Sequence, residues 1–172
     1  MPKNKDITNK IKEFISGQTR PTDYLDQCIT QINSHQKRLN CFVQYNFDVA
    51  KKSALSSDKR YEKNQELSPL DGVPVALKDN INICGMETRN GTKLPFPFQE
   101  DSSVTTKLRN AGALILGKLN MDECAFGTTT DNPNFGKTQN PWKFNYTAGG
   151  SSGGAAAAVS SGMVMGAIGT DT

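Results

Sequence analysis

The most informative stretch of this chain is rich in glycine and serine, and it reads Thr147-Ala-Gly-Gly-Ser-Ser-Gly-Gly-Ala155. Its four glycines allow backbone conformations that other residues avoid. It leads directly into Ala155–Ser161, an alanine-rich segment with a high propensity for helix. The first N–H groups of a helix lack partners within the helix, so such a loop can point several donors at one ligand. The stretch therefore predicts a functional loop at the start of a buried helix.

This loop has three alternative interpretations besides serine chemistry: a phosphate-binding loop, a dinucleotide-binding motif and a flexible linker. A phosphate-binding loop needs Gly-x-x-x-x-Gly-Lys-Ser/Thr, and the stretch has no lysine. Dinucleotide binding needs Gly-x-Gly-x-x-Gly, which Gly149–Gly154 does not match. A flexible linker is not expected directly before an alanine-rich helix. Chemistry at a serine is the use that fits best.

A second segment, Asp71-Gly-Val-Pro-Val-Ala-Leu-Lys78, has the pattern of a turn followed by a buried strand, with Pro74 at its start or on an edge strand. Lys78 ends the apolar run. A lysine removed from water there binds its proton less tightly and can act as a base near neutral pH. The alternative is an ordinary surface lysine at a strand end, and the segment alone leaves both interpretations open.

Helices and strands alternate along the chain, which predicts an α/β fold with a mixed or parallel sheet. Thr22 is expected to cap the second helix, and His35 is expected in a polar loop, exposed to solvent. The predicted helices cover Ile7–Ile15, Thr22 to about Gln36, Asp48 to about Lys63, Ser102 or Ser103 to Asn110, and Ala155–Ser161; the predicted strands are Cys41–Tyr45, the segment ending at Lys78, Ala113–Gly117 and Val164–Gly169.

Composition excludes several classes of function. The net charge of +3 is weaker than the basic face of a typical nucleic-acid binder, so no direct nucleic-acid binding is expected. The four cysteines form no Cys-x-x-Cys pair and there is one histidine, so no metal site is expected. No apolar run approaches the roughly 18 residues of a membrane span. No secretory signal is recognisable either, so the protein is expected not to be secreted but to reside in a bacterial cytoplasm or a mitochondrial or plastid matrix.

Five separated blocks of the sequence follow one another along the chain: Gly72-Val-Pro-Val-Ala-Leu-Lys-Asp-Asn80, Gly117-Lys-Leu-Asn-Met-Asp-Glu123, Asn140-Pro-Trp142, Gly149-Gly-Ser-Ser-Gly-Gly154 and Gly169-Thr-Asp-Thr172. In this order and spacing they resemble the amidase signature family, and together they are far more specific than any one alone. The resemblance implies a mixed β-sheet flanked by helices, here incomplete. Residues 1–172 would be the N-terminal part of a single amidase domain, with a helical lead-in at 1–66 and a sheet core at 67–172.

The resemblance also implies a Ser–Ser–Lys catalytic triad. Lys78 would be the base, and Ser151 would be the bridging serine, held by a cis peptide bond. The family's spacing puts the nucleophilic serine just beyond Thr172, so this chain alone is expected to be inactive. Thr172 and Gly150 would contribute to the oxyanion hole and substrate site. Thr129 would help to hold the substrate, although an ordinary Ser/Thr-rich loop is the alternative.

Within the family, the block Gly117–Gly127 resembles the glutamine-hydrolysing subunits of tRNA-dependent amidotransferases, which form Gln-tRNA(Gln) from Glu-tRNA(Gln). This implies glutamine as substrate and no cofactor in this chain. ATP and Mg²⁺ would bind to a partner subunit that also binds tRNA, and a small third subunit would complete the complex. A free-standing amidase of small amides and a catalytically inactive, amidase-like docking module are the alternatives.

Overall fold

The computed structural model describes residues 6–97 and 100–171. Over these ranges the chain alternates helices and strands, as expected from the sequence. A short 3₁₀ turn at Glu123–Ala125 follows the third strand. The helices are α1 (Ile7–Ile15), α2 (Pro21–Leu39), α3 (Phe47–Tyr61), α4 (Ser103–Asn110) and α5 (Gly153–Ser160), and the strands are β1 (Phe42–Tyr45), β2 (Pro74–Lys78), β3 (Leu114–Leu119), β4 (Asp131–Asn132), β5 (Gly136–Lys137) and β6 (Gly166–Ile168).

A four-stranded mixed sheet in the order β1-β3-β2-β6 forms the centre of the molecule. The central strand β2 runs parallel to both β3 and β6, whereas β1 is antiparallel to β3. Every residue of β2 and β3 is buried, which explains why both segments have long apolar runs instead of alternating polarity. The predicted α/β class with a mixed sheet flanked by helices is confirmed.

Helices cover the sheet, and one buried carboxylate connects the helical part of the chain to it. α5 packs on β2 and β6, while α3 packs on β3 and on α2. Asp71, in the turn before β2, is completely buried. It accepts hydrogen bonds from the guanidinium of Arg60 (2.6 Å), the hydroxyl of Ser57 (2.7 Å) and the N–H of Leu67 (3.0 Å). These bonds satisfy a charge that would be costly to bury alone.

The start of α2 differs from the sequence expectation. The helix begins at Pro21, with Arg20 at the capping position and no side-chain cap. Proline suits the first turn because its missing N–H would have no helical partner there. Thr22 lies inside this turn and bonds to the carboxylate of Asp58 through both its N–H (3.1 Å) and its hydroxyl (2.6 Å). The expectation that Thr22 caps the helix was therefore wrong.

The end of α2 also lies further along the chain than predicted. The helix continues to Leu39, and Asn40 closes it in the left-handed conformation with φ 53°. His35 sits within this helix, as the predicted range to about Gln36 already required, and is half-buried, so the separate expectation of an exposed polar loop was wrong.

Other boundaries moved by a few residues, and the 3₁₀ turn and both strands of the β4–β5 hairpin were not predicted. β3 runs on to Leu119, and the hairpin of β4 and β5 had no signal in the sequence because its strands are two residues long.

No helix within residues 6–97 and 100–171 combines the length and apolar character needed to cross a bilayer. In the same ranges, no three His, Cys, Asp or Glu side chains cluster in a way that could hold a metal ion.

Candidate active site

The candidate site lies where the parallel strands end. Lys78 is the last residue of β2, Asp122 follows β3, and Thr170 follows β6. Ser151 stands just before α5, so the N-terminus of that helix opens onto the same edge of the sheet. In α/β proteins the carboxyl ends of parallel strands commonly form ligand sites, because loops from neighbouring strands meet there.

Lys78 and Ser151 form the central contact of the site. The side chain of Lys78 is completely buried, and its Nζ donates to the Ser151 Oγ at 2.6 Å and to the Thr170 carbonyl at 3.1 Å. Burial lowers the pKa of Lys78 below its ordinary value, and the carboxylates of Asp122 and Asp171 oppose this shift only in part. The structure therefore places a lysine with a lowered pKa within hydrogen-bond distance of a serine hydroxyl.

The peptide between Gly150 and Ser151 is cis, as the family resemblance implied. A methyl group at Gly150 would stand 2.7 Å from both the carbonyl carbon of Thr128 and the nitrogen of Thr129, and it would also meet the carboxylate of Asp122. The carbonyl of Ser151 accepts from the N–H of Asp122 at 3.2 Å. Close backbone packing on both sides thus requires glycine at 150 and fixes the approach of Ser151 to Lys78.

Thr170 connects three parts of the site. Its carbonyl accepts from Lys78 and from the Ser152 hydroxyl (3.1 Å), and its own N–H donates back to that hydroxyl at 3.3 Å. Its hydroxyl accepts from the amide of Asn80 at 2.9 Å. The segment that leads towards the predicted oxyanion turn is therefore held against both β2 and α5. Thr172, predicted to belong to that turn, lies outside the described residues.

Thr129 lies beside Gly150 at the mouth of the site. Its N–H donates to the Asp122 Oδ2 at 3.2 Å, and its carbonyl accepts from the Thr147 hydroxyl at 2.9 Å. Its main chain is therefore fixed, while the residue as a whole is exposed. The structure brings Thr129, Gly150, Ser151 and Lys78 to one place, and the role of Thr129 towards a substrate stays a prediction.

A second buried lysine, Lys118 on β3, has a different environment. Its Nζ donates to the carbonyl of Ile81 (2.8 Å) and the hydroxyl of Thr88 (2.9 Å), and it lies 3.5 Å from the Asp79 Oδ1. Burial lowers the pKa of Lys118 and raises the pKa of Asp79. These bonds hold the segment that leaves β2, so Lys118 supports the strand that carries Lys78.

Sequence reasoning missed the residues that hold the serine loop. The buried hydroxyl of Thr130 donates to the carbonyl of Gly149 (2.8 Å) and accepts from the N–H of Gly153 (2.9 Å). Asp122 was part of a quoted motif but had no assigned role. Both residues act across long sequence separations, and a lone threonine or aspartate in a loop gives no periodic signal for such contacts.

A family model described as Amidase matches residues 23–172, and the chain belongs to this family. One curated relative, from Prochlorococcus marinus strain NATL2A, is named as a subunit of glutamyl-tRNA(Gln) amidotransferase. It is 40% identical over 169 residues, which make up 97% of this chain and 34% of the relative. This chain thus spans about a third of the length of that relative.

Solved structures agree with this assignment. A crystal structure described as an amidase is 36% identical, with a TM-score of 0.91 over 97% of this chain and 38% of that one. The native peptide amidase of Stenotrophomonas maltophilia is 31% identical, with a TM-score of 0.89 over 97% of this chain and 36% of that one. This chain is therefore similar in sequence to the curated relative and similar in fold to the two solved amidases.

Proposed function

We propose that this chain is part of a glutamine-hydrolysing amidase subunit that supplies ammonia for the conversion of Glu-tRNA(Gln) to Gln-tRNA(Gln). The observation that carries the proposal is the 2.6 Å contact between the buried Lys78 Nζ and the Ser151 Oγ, in a chain of the Amidase family. A lysine amine within hydrogen-bond distance of a serine hydroxyl, at the carboxyl end of a central strand, is suited to moving a proton between the two groups.

In the proposed reaction, neutral Lys78 accepts the proton of the Ser151 hydroxyl. Ser151 in turn takes the proton of a nucleophilic serine, which the family resemblance places after Thr172. That serine attacks the amide carbon of glutamine, and the tetrahedral intermediate breaks its C–N bond once the nitrogen has received a proton back through Ser151. Ammonia leaves, and water then hydrolyses the acyl-enzyme to glutamate.

The choice of substrate and partners rests on the relatives. The curated relative carries the name of an amidotransferase subunit, and its similarity covers almost all of this chain. Ammonia is useful only when it reaches an activated acceptor, so we propose a partner subunit that binds tRNA, ATP and Mg²⁺, together with a small third subunit. The net charge of +3 gives this chain little affinity of its own for tRNA. The cytoplasm or an organelle matrix is the proposed location.

A free-standing amidase is the second candidate. It is favoured by one specific observation, the 31% identity and TM-score of 0.89 to a peptide amidase. The two candidates use the same Lys78–Ser151 pair and differ in substrate and in dependence on partners. A docking module without catalysis would preserve the fold and would not need the short contact between these two side chains.

Kinetics of the full-length gene product, expressed with and without candidate partner subunits, separate these functions. The amidotransferase proposal predicts a stable complex whose glutaminase rate rises when Glu-tRNA and ATP are present. A monomer that hydrolyses simple amides at a rate indifferent to tRNA and ATP would establish the free-standing amidase instead. No hydrolysis of any amide by the complete complex would favour the docking module.

A further inference from the structure

Asp122 is a buried acid at the site to which neither the motifs nor the proposed reaction gives a task. It follows β3 and is 6% exposed. Two glycines enclose its carboxylate. A methyl group at Gly127 would stand 2.7 Å from the Asp122 Oδ1, and one at Gly150 would overlap the Oδ2. The Asp122 carboxylate therefore fits beside the Gly150–Ser151 peptide only because positions 127 and 150 carry no Cβ.

The hydrogen bonds of Asp122 join the two loops that meet at Ser151. Its main-chain N–H donates to the carbonyl of Ser151 at 3.2 Å. Its Oδ2 accepts from the N–H of Thr129 at 3.2 Å. Asp122 therefore bonds to Ser151 through its main chain and to the Thr129 loop, which packs on Gly150, through its carboxylate. Displacing either loop would lengthen the contact between Ser151 and Lys78.

Asp122 also brings a negative charge towards Lys78. The other carboxylate that acts on Lys78 is Asp171, after β6. Asp79, which directly follows Lys78 after the end of β2, is paired with Lys118 and is thus partly neutralised. Asp122 and Asp171 both favour the protonated lysine and so work against the effect of burial. Removing the charge of Asp122 therefore makes Lys78 lose its proton at lower pH.

We propose that Asp122 is a positioning residue for the Lys78–Ser151 pair, acting through the Ser151 carbonyl and the Thr129 loop and setting the charge beside the lysine. This inference rests on the proposed amidase function and deepens it. Asp122 does not touch the reacting atoms. It determines where the bridging serine stands and at which pH the lysine is ready to accept a proton.

The test compares Asp122→Asn with Asp122→Ala in the full-length gene product. Asp122→Asn keeps an acceptor for the Thr129 N–H and removes the charge, so the acidic limb of the pH profile of kcat/KM should move to lower pH while kcat falls modestly. Asp122→Ala also releases the loop, and kcat should fall by roughly 100-fold, as expected for a misplaced catalytic group. Glu123→Gln, an equal charge change at the exposed neighbouring residue, should leave the profile unchanged.

A second measurement makes this test independent of the substrate. The side-chain NMR signal of Lys78, followed against pH in the 172-residue chain and assigned with Lys78→Arg, reports its proton directly. In Asp122→Asn the titration midpoint should move to lower pH, while the amide spectrum shows that the fold is kept. If wild type hydrolyses no glutamine, the proposed function fails but this titration still tests Asp122. The inference would be overturned if the titration midpoint of Lys78 did not change in Asp122→Asn. It would also be overturned if kcat/KM of that variant fell by the same factor at every pH.

Discussion

At the scale of single residues, the site depends on positions where no side chain fits. Gly150 is enclosed by the main chain of the 128–129 loop and by the carboxylate of Asp122. Backbone atoms cannot move aside as a flexible side chain can. The approach of Ser151 to Lys78 is therefore set by the absence of a Cβ one residue earlier.

Gly150→Ala tests this directly. The added methyl group must push the 128–129 loop or the serine away, so kcat should fall by about 100-fold, the loss associated with a displacement of roughly 1 Å. Gly149→Ala is the matched control. Gly149 has a positive φ of 84° but nothing within 4 Å of an added Cβ, so this change should cost about 1–2 kcal/mol of stability and little activity. Similar kinetics for the two variants would contradict the packing argument.

At the scale of elements, Asp71 is the main polar link between α3 and the start of β2. Burial alone would raise the pKa of Asp71, but the hydrogen bonds from Arg60, Leu67 and Ser57 outweigh it and leave the pKa below its ordinary value. A lowered folded-state pKa gives stability that is present above the ordinary pKa of 3.8 and is lost as the pH falls through the folded value. The link should therefore weaken in acid.

Asp71→Asn should lower the free energy of unfolding by about 3–5 kcal/mol at neutral pH, since it leaves Arg60 without its partner. Urea denaturation at several pH values measures this. The difference from wild type should shrink towards low pH, where the wild-type carboxylate also becomes protonated. Asp23→Asn, which breaks the exposed pair with Arg20, should leave the urea midpoint unchanged. A loss for Asp71→Asn that is equal in acid and at neutral pH would show that the charge is not responsible.

Some elements could be predicted from the sequence and others could not. β2 and β3 could be predicted because strands buried on both faces have continuous apolar runs, and Lys78 and Ser151 could be found because they lie in contiguous motifs. The capping of α2 could not be predicted from the local sequence, because Thr22 bonds to Asp58, which lies on another helix. Asp122 and Thr130 were missed for the same reason. Local patterns report local structure, and these contacts form only once distant segments have packed.

At the scale of the whole molecule, the described residues bring Lys78, Ser151 and the Thr129 loop together, and in the proposed reaction none of them is the nucleophile. The chain spans about a third of the curated relative's length. The purified 172-residue chain should therefore neither hydrolyse glutamine nor become acylated by a serine-directed probe. The full-length gene product is the control for both assays. Glutamine hydrolysis above background by the 172-residue chain would show that its own residues provide the nucleophile.

The central claim is that Lys78 and Ser151 act as one path for a proton. The most direct test is a double-mutant cycle in the full-length gene product, with kcat for glutamine measured for Lys78→Ala, Ser151→Ala and both together. Ser160→Ala, at the far end of α5, is the matched serine control and should keep wild-type kcat. If the pair is one unit, each single change abolishes most of the activity and the double variant lies within about threefold of either one. Losses that multiply in the double variant would contradict a shared proton path.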